Sequence, residues 1–446
     1  MNFWQQTISH PVSLEGIGLH TGKHCRLTLM PAPVNYGICF VRTDIPGCPP
    51  VPARTDFIAD LSRGTTLGID DIRINTIEHV MASLRGCNID NARVEIDGPE
   101  PPAIDGSSRP YVDLIQSAGI KKQGGLRQEL IITKPVSYTD VKDNVVIKIF
   151  PAETFRVTFL VDYPDHLTMG TRFYTLDSMD HFAQEIAPAR TYGLLSEMKV
   201  LKQKGLGKGG SLDNNLVFID EPLHHDELET LRTLFEVDHN IRLGNTGILD
   251  ERPLRFTNEP VRHKILDLIG DLYLLGMPIR GHILAFRSGH KANAEFVKQL
   301  QKDYKYVINT LVSPEPGAGL LVSLLPDLGP VPPGFRILND GDEIRCIYDP
   351  LDENGEYLNK GLVFRLAGLS AGTTLLFDNV QTIKSVEISN VKDMIFYKEL
   401  KNRQHVFISR IREKNAENTS VSFKILNGNR DVVCEGEFTF NIERYV

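Results

Sequence analysis

The residues with the clearest chemical potential lie in Arg262-His263-Lys264-Ile265-Leu266-Asp267-Leu268-Ile269-Gly270-Asp271. His263 and Asp267 are four positions apart, so on a helix they share one face, and Asp271 extends that face by another turn. An imidazole and a carboxylate so spaced can both reach one zinc ion, which in a catalytic site takes three protein ligands and keeps a fourth position for water. A solvated helix face carries the same residue types, so the spacing alone leaves both readings open. A second segment, Asn75-Thr76-Ile77-Glu78-His79-Val80, sets a Glu directly before a His at the start of a helix. With His79 as a third ligand, Glu78 would stand beside the activated water and could act as general base. An ordinary helix start also accounts for the pair.

These groups must be positioned by elements from both halves of the chain's first 300 or so residues. Residues 12–60 alternate like strands, as in Cys25–Met30 before Pro31-Ala32, and helices are expected at Thr76–Leu84 and Tyr111–Ala118, the latter closed by Gly119. Lys121–Arg127 is polar and Gly-rich and reads as a linker. Beyond it the pattern returns: Val145–Ala152 echoes Cys25–Ala32, Phe155–Asp162 echoes Gly37–Arg42, and a helix follows at Glu259–Leu275. The acidic stretch Asp220–Asp250 reads as a surface excursion with one helix, and His224-His225-Asp226 within it as a solvated helix start. A Gly/Pro-rich passage within 302–335 can neither propagate a helix nor sit inside a sheet, so it marks a boundary. After it come a helix candidate, Leu362–Leu376, and a hairpin pattern with Val421–Ile425 and Gly436–Ile442 around Asn427-Gly428-Asn429.

With 446 residues, 41% apolar, 24% charged and a net charge of −8, the composition is that of a soluble multidomain protein, and no basic run suggests nucleic acid. No apolar stretch reaches the roughly 18 residues of a membrane span, and Met1–Pro11 lacks the charged and apolar regions of a secretory signal. Six scattered cysteines without a CxxC pair fit reduced thiols in a cytoplasmic protein.

Glu78-His79, the His263–Asp267 pair and Ser288-Gly289-His290 resemble motifs of the UDP-3-O-acyl-N-acetylglucosamine deacetylases, zinc amidases of lipid A synthesis. So do Gly16-Ile17-Gly18-Leu19-His20-Thr21-Gly22, Ile104-Asp105-Gly106-Ser107, Ala189-Arg190-Thr191-Tyr192-Gly193 and Lys208-Gly209-Gly210-Ser211. The motifs stand in family order across residues 1–303; the departure is a longer stretch between Val217 and Arg262, expected to be a surface insertion. The resemblance implies an α+β fold: two similar α+β domains, 1–122 and 127–303, packed with the metal site between them, the second carrying a βαβ insertion near 191–217. It implies one zinc ion per chain on His79, His263 and Asp267, with Glu78 as base and His290 as the protonated partner. Asp271 would hold His290, and Thr191 would donate to the oxyanion. Leu195, Met198, Leu201, Gly210, Ser211, Leu212 and Val217 would line a passage for the acyl tail, and Lys264 would meet the anionic UDP group. His20 reads as a structural hydrogen-bonding residue of the Gly-rich turn.

Residues 336–446 faintly resemble a mostly-β hot-dog domain, like the 3-hydroxyacyl-carrier-protein dehydratase that some bacteria fuse to this deacetylase. The dehydratase needs a His before its central helix and a carboxylate on it; here the only His is His405, and Leu366 stands where the Glu is expected. The domain is therefore expected to be non-catalytic, with the pairing of two copies of the chain as a homodimer its remaining role. The expected reaction is hydrolysis of the N-acetyl group of UDP-3-O-(3-hydroxyacyl)-N-acetylglucosamine. The alternatives are a bifunctional deacetylase–dehydratase and an inactive module that binds lipid or carrier protein.

Overall fold

The computed structural model describes residues 4–163, 166, 168–203, 205–223 and 227–304. It also describes the strands Phe335–Asn339, Ile344–Tyr348, Ile383–Phe396, His405–Lys414, Asn418–Leu426 and Val432–Arg444. Two compact units result. One comprises Gln5–Gly124 with Leu130–Asp303, and the other Met1–Trp4, Gly125–Glu129 and Tyr304–Val446.

The larger unit repeats one plan. Its first five-stranded sheet runs Val12–Ile17, His24–Pro31, Ala92–Ile96, Ile38–Arg42, Val51–Pro52 in spatial order. Its second runs Val136–Asp140, Val145–Phe150, His282–Phe286, Arg156–Tyr163, Gly170–Leu176. In both, the late strand enters the centre, antiparallel to one neighbour and parallel to the other. In both, a helix precedes that strand and another follows it: Glu78–Gly86 and Arg109–Ala118 in the first half, Glu259–Leu272 and His290–Asp303 in the second. Alternating burial, as in Val145–Phe150 and Arg156–Tyr163, turns one sheet face inward, as the period-2 pattern demands.

The two preceding helices pack against each other, and Gly270 permits it. A Cβ there would collide with the Glu78 carbonyl oxygen and lie 3.1 Å from its Cα, so any larger residue pushes the helices apart. Gly270→Ala should therefore lower stability by roughly 1–3 kcal/mol, the usual cost of overpacking, visible as a lower urea midpoint at unchanged m-value.

Three expectations meet a different structure. Lys121–Arg127 is not a linker: Ile120–Leu126 is a strand paired with Trp4–Ile8. Its ladder bonds need no apolar side chains, and Gln123 anchors it by bonding Asn91 and the Ala32 carbonyl. The first-half helix begins at Glu78, because Thr76 sits at φ +54° with its hydroxyl on Glu100. The 220–250 stretch does contain a helix, Leu228–Leu234, but it is no mere surface excursion, since Leu231, Phe235, Ile241 and Leu249 are buried in one apolar cluster. Polar residues dominate its composition and hid that face.

The six C-terminal strands form one antiparallel sheet, ordered Phe335–Asn339, Ile344–Tyr348, His405–Lys414, Asn418–Leu426, Val432–Arg444, Ile383–Phe396. This is mostly β, as expected, and Asn418–Leu426 pairs with Val432–Arg444 as the hairpin pattern requires. Leu362–Leu376, the turn 427–429, His224-His225-Asp226 and residues 305–334 lie outside the described residues. Among the described residues no helix is long and apolar enough to cross a membrane, and Cys25, Cys39, Cys48 and Cys87 are free thiols.

Candidate metal centre

The paired helices bring His79 to the His263/Asp267 face. One candidate ligand atom from each of these buried residues lies within 4.8 Å of the others. His263 Nε2 is 3.3 Å and His79 Nε2 3.9 Å from Asp267 Oδ1. The rings of His79 and His263 stand edge to face, 5.1 Å apart.

The donor chemistry suits a cation. Burial, with the facing His263 ring, brings His79 down to about 3, and burial lowers His263 too, so both imidazoles are neutral and keep a lone pair. His263 Nδ1 lies 3.0 Å from the Ala189 carbonyl, an acceptor only, which fixes the proton there and leaves Nε2 free to ligate. Burial opposes a charge on Asp267, yet Lys264 and the neighbouring imidazoles hold its carboxyl well below the usual carboxylate range. Two neutral nitrogens and one ionised oxygen match the donor types that catalytic zinc sites use.

Next to this cluster stand two proton-handling groups. Burial pushes the Glu78 carboxyl up to about 7, against the pull of the His290 charge. Its Oε2 accepts the Thr65 amide at 2.9 Å, while Oε1 is 3.9 Å from His290 Nε2. Burial alone would discharge His290, but Asp271 and Glu78 outweigh it and raise the imidazole to about 10. His290 Nδ1 lies 2.9 Å from Asp271 Oδ2, and Asn293 Nδ2 and the Thr65 hydroxyl complete that carboxylate's shell.

Glu78, His79, His263, Asp267 and His290 line one cavity with Thr191, Lys264, Met198, Leu201 and Gly210. The other predicted passage residues stand behind it: Leu195, Leu212 and Val217 pack in the apolar cluster, and the Ser211 amide donates to the Asn214 side chain. Lys264 donates to Asp267 at 2.9 Å, so its charge is already engaged. His20 bonds within the Gly-rich turn region, its amide donating to Glu100, and the residue also lines the cavity.

Several supporting contacts join motif residues to partners that the motifs do not name. Buried Glu100 accepts bonds from the His20 and Thr21 amides and from the Thr21 and Thr76 hydroxyls, which pins the first Gly-rich motif beside the Glu78 helix. Arg190 and Glu259 form a buried two-pronged ion pair that ties the Thr191 segment to the start of the Glu259–Leu272 helix. Gly106, at φ +77°, could carry no Cβ, since one would overlap the Asn214 carbonyl oxygen; its own carbonyl accepts the Thr191 amide.

Two related halves pool neutral imidazole, ionised carboxylate and charged imidazole in one buried cleft, groups of the kind that metal-assisted hydrolysis uses. Comparison with known sequences gives the particular kind: the chain belongs to the UDP-3-O-acyl N-acetylglycosamine deacetylase family, whose sequence profile matches residues 5–236 and 234–302. A UDP-3-O-acyl-N-acetylglucosamine deacetylase of Myxococcus xanthus is 42% identical over 300 residues, 67% of this chain and 87% of that one. A bifunctional LpxC/FabZ enzyme of Chlorobaculum tepidum is 47% identical over 300 residues, 67% of this chain, but the match spans only 64% of that enzyme. A similar enzyme of Porphyromonas gingivalis is 37% identical with 65% covered. The solved E. coli PaaI protein is like 25% of this chain at 14% identity and TM-score 0.21, too slight a likeness to bear on activity.

Proposed function

We propose that the chain is a zinc-dependent deacetylase that hydrolyses the N-acetyl group of UDP-3-O-(3-hydroxyacyl)-N-acetylglucosamine, acting in the cytoplasm in lipid A synthesis. The observation that carries this is the convergence of His79, His263 and Asp267 beside Glu78 and His290 in a single cavity. Zinc, held by those three residues, would polarise the acetyl carbonyl and lower the pKa of the attacking water.

Glu78 Oε1 would take that water's proton, since Oε2 is occupied by the Thr65 amide. His290 would carry its second proton at Nε2, because Nδ1 is held by Asp271, and would present that N–H to the oxyanion and then to the departing amine. Thr191 would add a hydrogen bond to the oxyanion. Met198, Leu201 and Gly210 would flank the acyl tail, with Leu195, Ser211, Leu212 and Val217 holding that wall in shape. Lys264 would first hold Asp267 ionised and would face the UDP group only from that position. The deciding experiment is metal content of the purified full chain, together with acetate release from the UDP-linked substrate. A zinc-loaded chain that releases none would overturn the proposal.

For residues 336–446 the reading is a non-catalytic domain that pairs two chains. The segment Asp342–Lys360 has no His and Leu362–Leu376 no carboxylate. Lacking both groups, the domain forfeits the roughly 10²–10⁴-fold that each acid or base supplies. Incubated with a 3-hydroxyacyl carrier protein, the full chain should form no enoyl product by mass spectrometry, and truncation after Pro333 should spare deacetylation while leaving a monomer in solution. Enoyl formation, or a truncated chain that stays dimeric, would refute the corresponding part.

A further inference from the structure

The 220–250 segment does more than decorate the surface. Phe235 from this segment reaches the same cavity that His79, His263 and Asp267 open into. The strand Tyr192–Leu194 and the helix Leu195–Gln203 contribute Tyr192, Met198, Leu201 and Lys202 to the cavity's side. At the start of that wall, Tyr192 packs edge-on to His263 with ring centroids 6.2 Å apart. Met198 and Lys202 follow along the helix, one turn or roughly 6 Å apart. Lys202 donates to the Gly210 carbonyl at 2.8 Å and lies 5.9 Å from the Phe235 ring centroid. Met198, Leu201, Lys202 and Phe235 thus line the cavity together, with Phe235 against the Lys202 end of the helix.

Phe235 is also fixed. It is 3% exposed and packs with Leu231, Ile241 and Leu249 of its own segment and Leu195 and Val217 of the passage wall. Its helix ends in a six-to-one closure: the Val237 amide donates to Arg232 O at 2.9 Å and the Glu236 amide to Thr233 O. The left-handed position of this motif, usually glycine, is here Glu236 at φ +54°. Burial among these apolar side chains leaves the Phe235 ring little freedom to swing away.

We infer that Phe235 is the end stop of the acyl passage, so that the 220–250 segment sets the longest 3-hydroxyacyl chain this protein accepts. The inference rests on the acyl-passage reading above and adds the residue that limits it. A rigid ring closing an apolar passage discriminates through overpacking, and one methylene too many costs roughly 10-fold or more in a fixed pocket.

The test uses a series of free 3-hydroxy fatty acids, from about ten to about eighteen carbons in single-carbon steps, titrated calorimetrically into the purified full chain. Each methylene that stays buried should tighten binding roughly fourfold until the stop is reached, where the gain ends. Phe235→Ala should move that break at least two carbons longer and Phe235→Leu by less, with near-ultraviolet circular dichroism unchanged. If the alanine variant fails to fold, the leucine variant is decisive. A break at the wild-type length in a folded variant, or no length dependence in the wild type, overturns the stop. Acetate release from UDP-linked substrates of matched lengths separates the two readings: a movable break without deacetylation would sink the proposed function and leave the stop standing.

Discussion

Asp267→Ala and His263→Ala should each yield a folded chain that no longer retains zinc and releases no measurable acetate. Removing a partner that merely orients a ligand costs roughly 10–100-fold in metal affinity. Removing one of three ligands should cost more, because the remaining two cannot complete a tetrahedral site. The fold should survive, since neither imidazole is charged and Lys264, the direct ion partner of Asp267, retains a path to solvent. Asp267→Asn separates charge from shape: it keeps the side chain's volume, removes the ionised oxygen, and should resemble the alanine variant in metal content. Elemental analysis after dialysis is the measurement. Full zinc occupancy in either alanine variant would show that the cluster is not the site.

Those two candidate ligands were legible because helical periodicity is short-ranged and survives in one sequence. His263 and Asp267 face the same way whatever surrounds them, and Gly270 marks the close approach of a second helix only once that helix is seen. The partner helix could be guessed from Glu78-His79, but its position over Gly270 is a product of tertiary packing. Glu100 lies 79–80 positions from the loop it holds and Arg190 is 69 from Glu259, so no periodicity or local motif announces either bond. Thr65 and Asn293 are equally silent, although they shape the carboxylates on which the proton-handling groups depend. Composition misled in two places. A Gly-rich polar stretch became the strand Ile120–Leu126, because backbone pairing ignores side-chain polarity. In 220–250, widely spaced Leu231, Phe235, Ile241 and Leu249 gather only when the chain folds back onto Leu195, Leu212 and Val217.

Glu78→Gln and His290→Ala should each lower turnover by on the order of 10²-fold or more while leaving zinc in place, because each removes one proton-transfer partner and no ligand. The carboxamide introduced by Glu78→Gln would still accept the Thr65 amide but could not take a proton from water. The two variants should differ in pH dependence, and that difference tests the assignment of roles. The wild-type profile should be bell-shaped. Its acid limb reflects protonation of Glu78, which removes the base as pH falls. Its alkaline limb belongs to His290, whose charge Asp271 and Glu78 preserve up to about 10. The sign follows from that elevation: below this value the imidazolium can donate, and above it the donor is lost, so rate falls as pH rises through it. His290→Ala should therefore abolish the alkaline limb together with the rate. Asp271→Asn, which weakens the support of the charge without touching the cavity's donors, should move the same limb to lower pH. Asn293→Ala should move it the opposite way or not at all, since it removes a donor that competes for the Asp271 charge. A His290→Ala enzyme that loses zinc would mean that His290 is itself a ligand. An Asp271→Asn enzyme whose alkaline limb stays in place would mean that the charged imidazole is not the group titrating there.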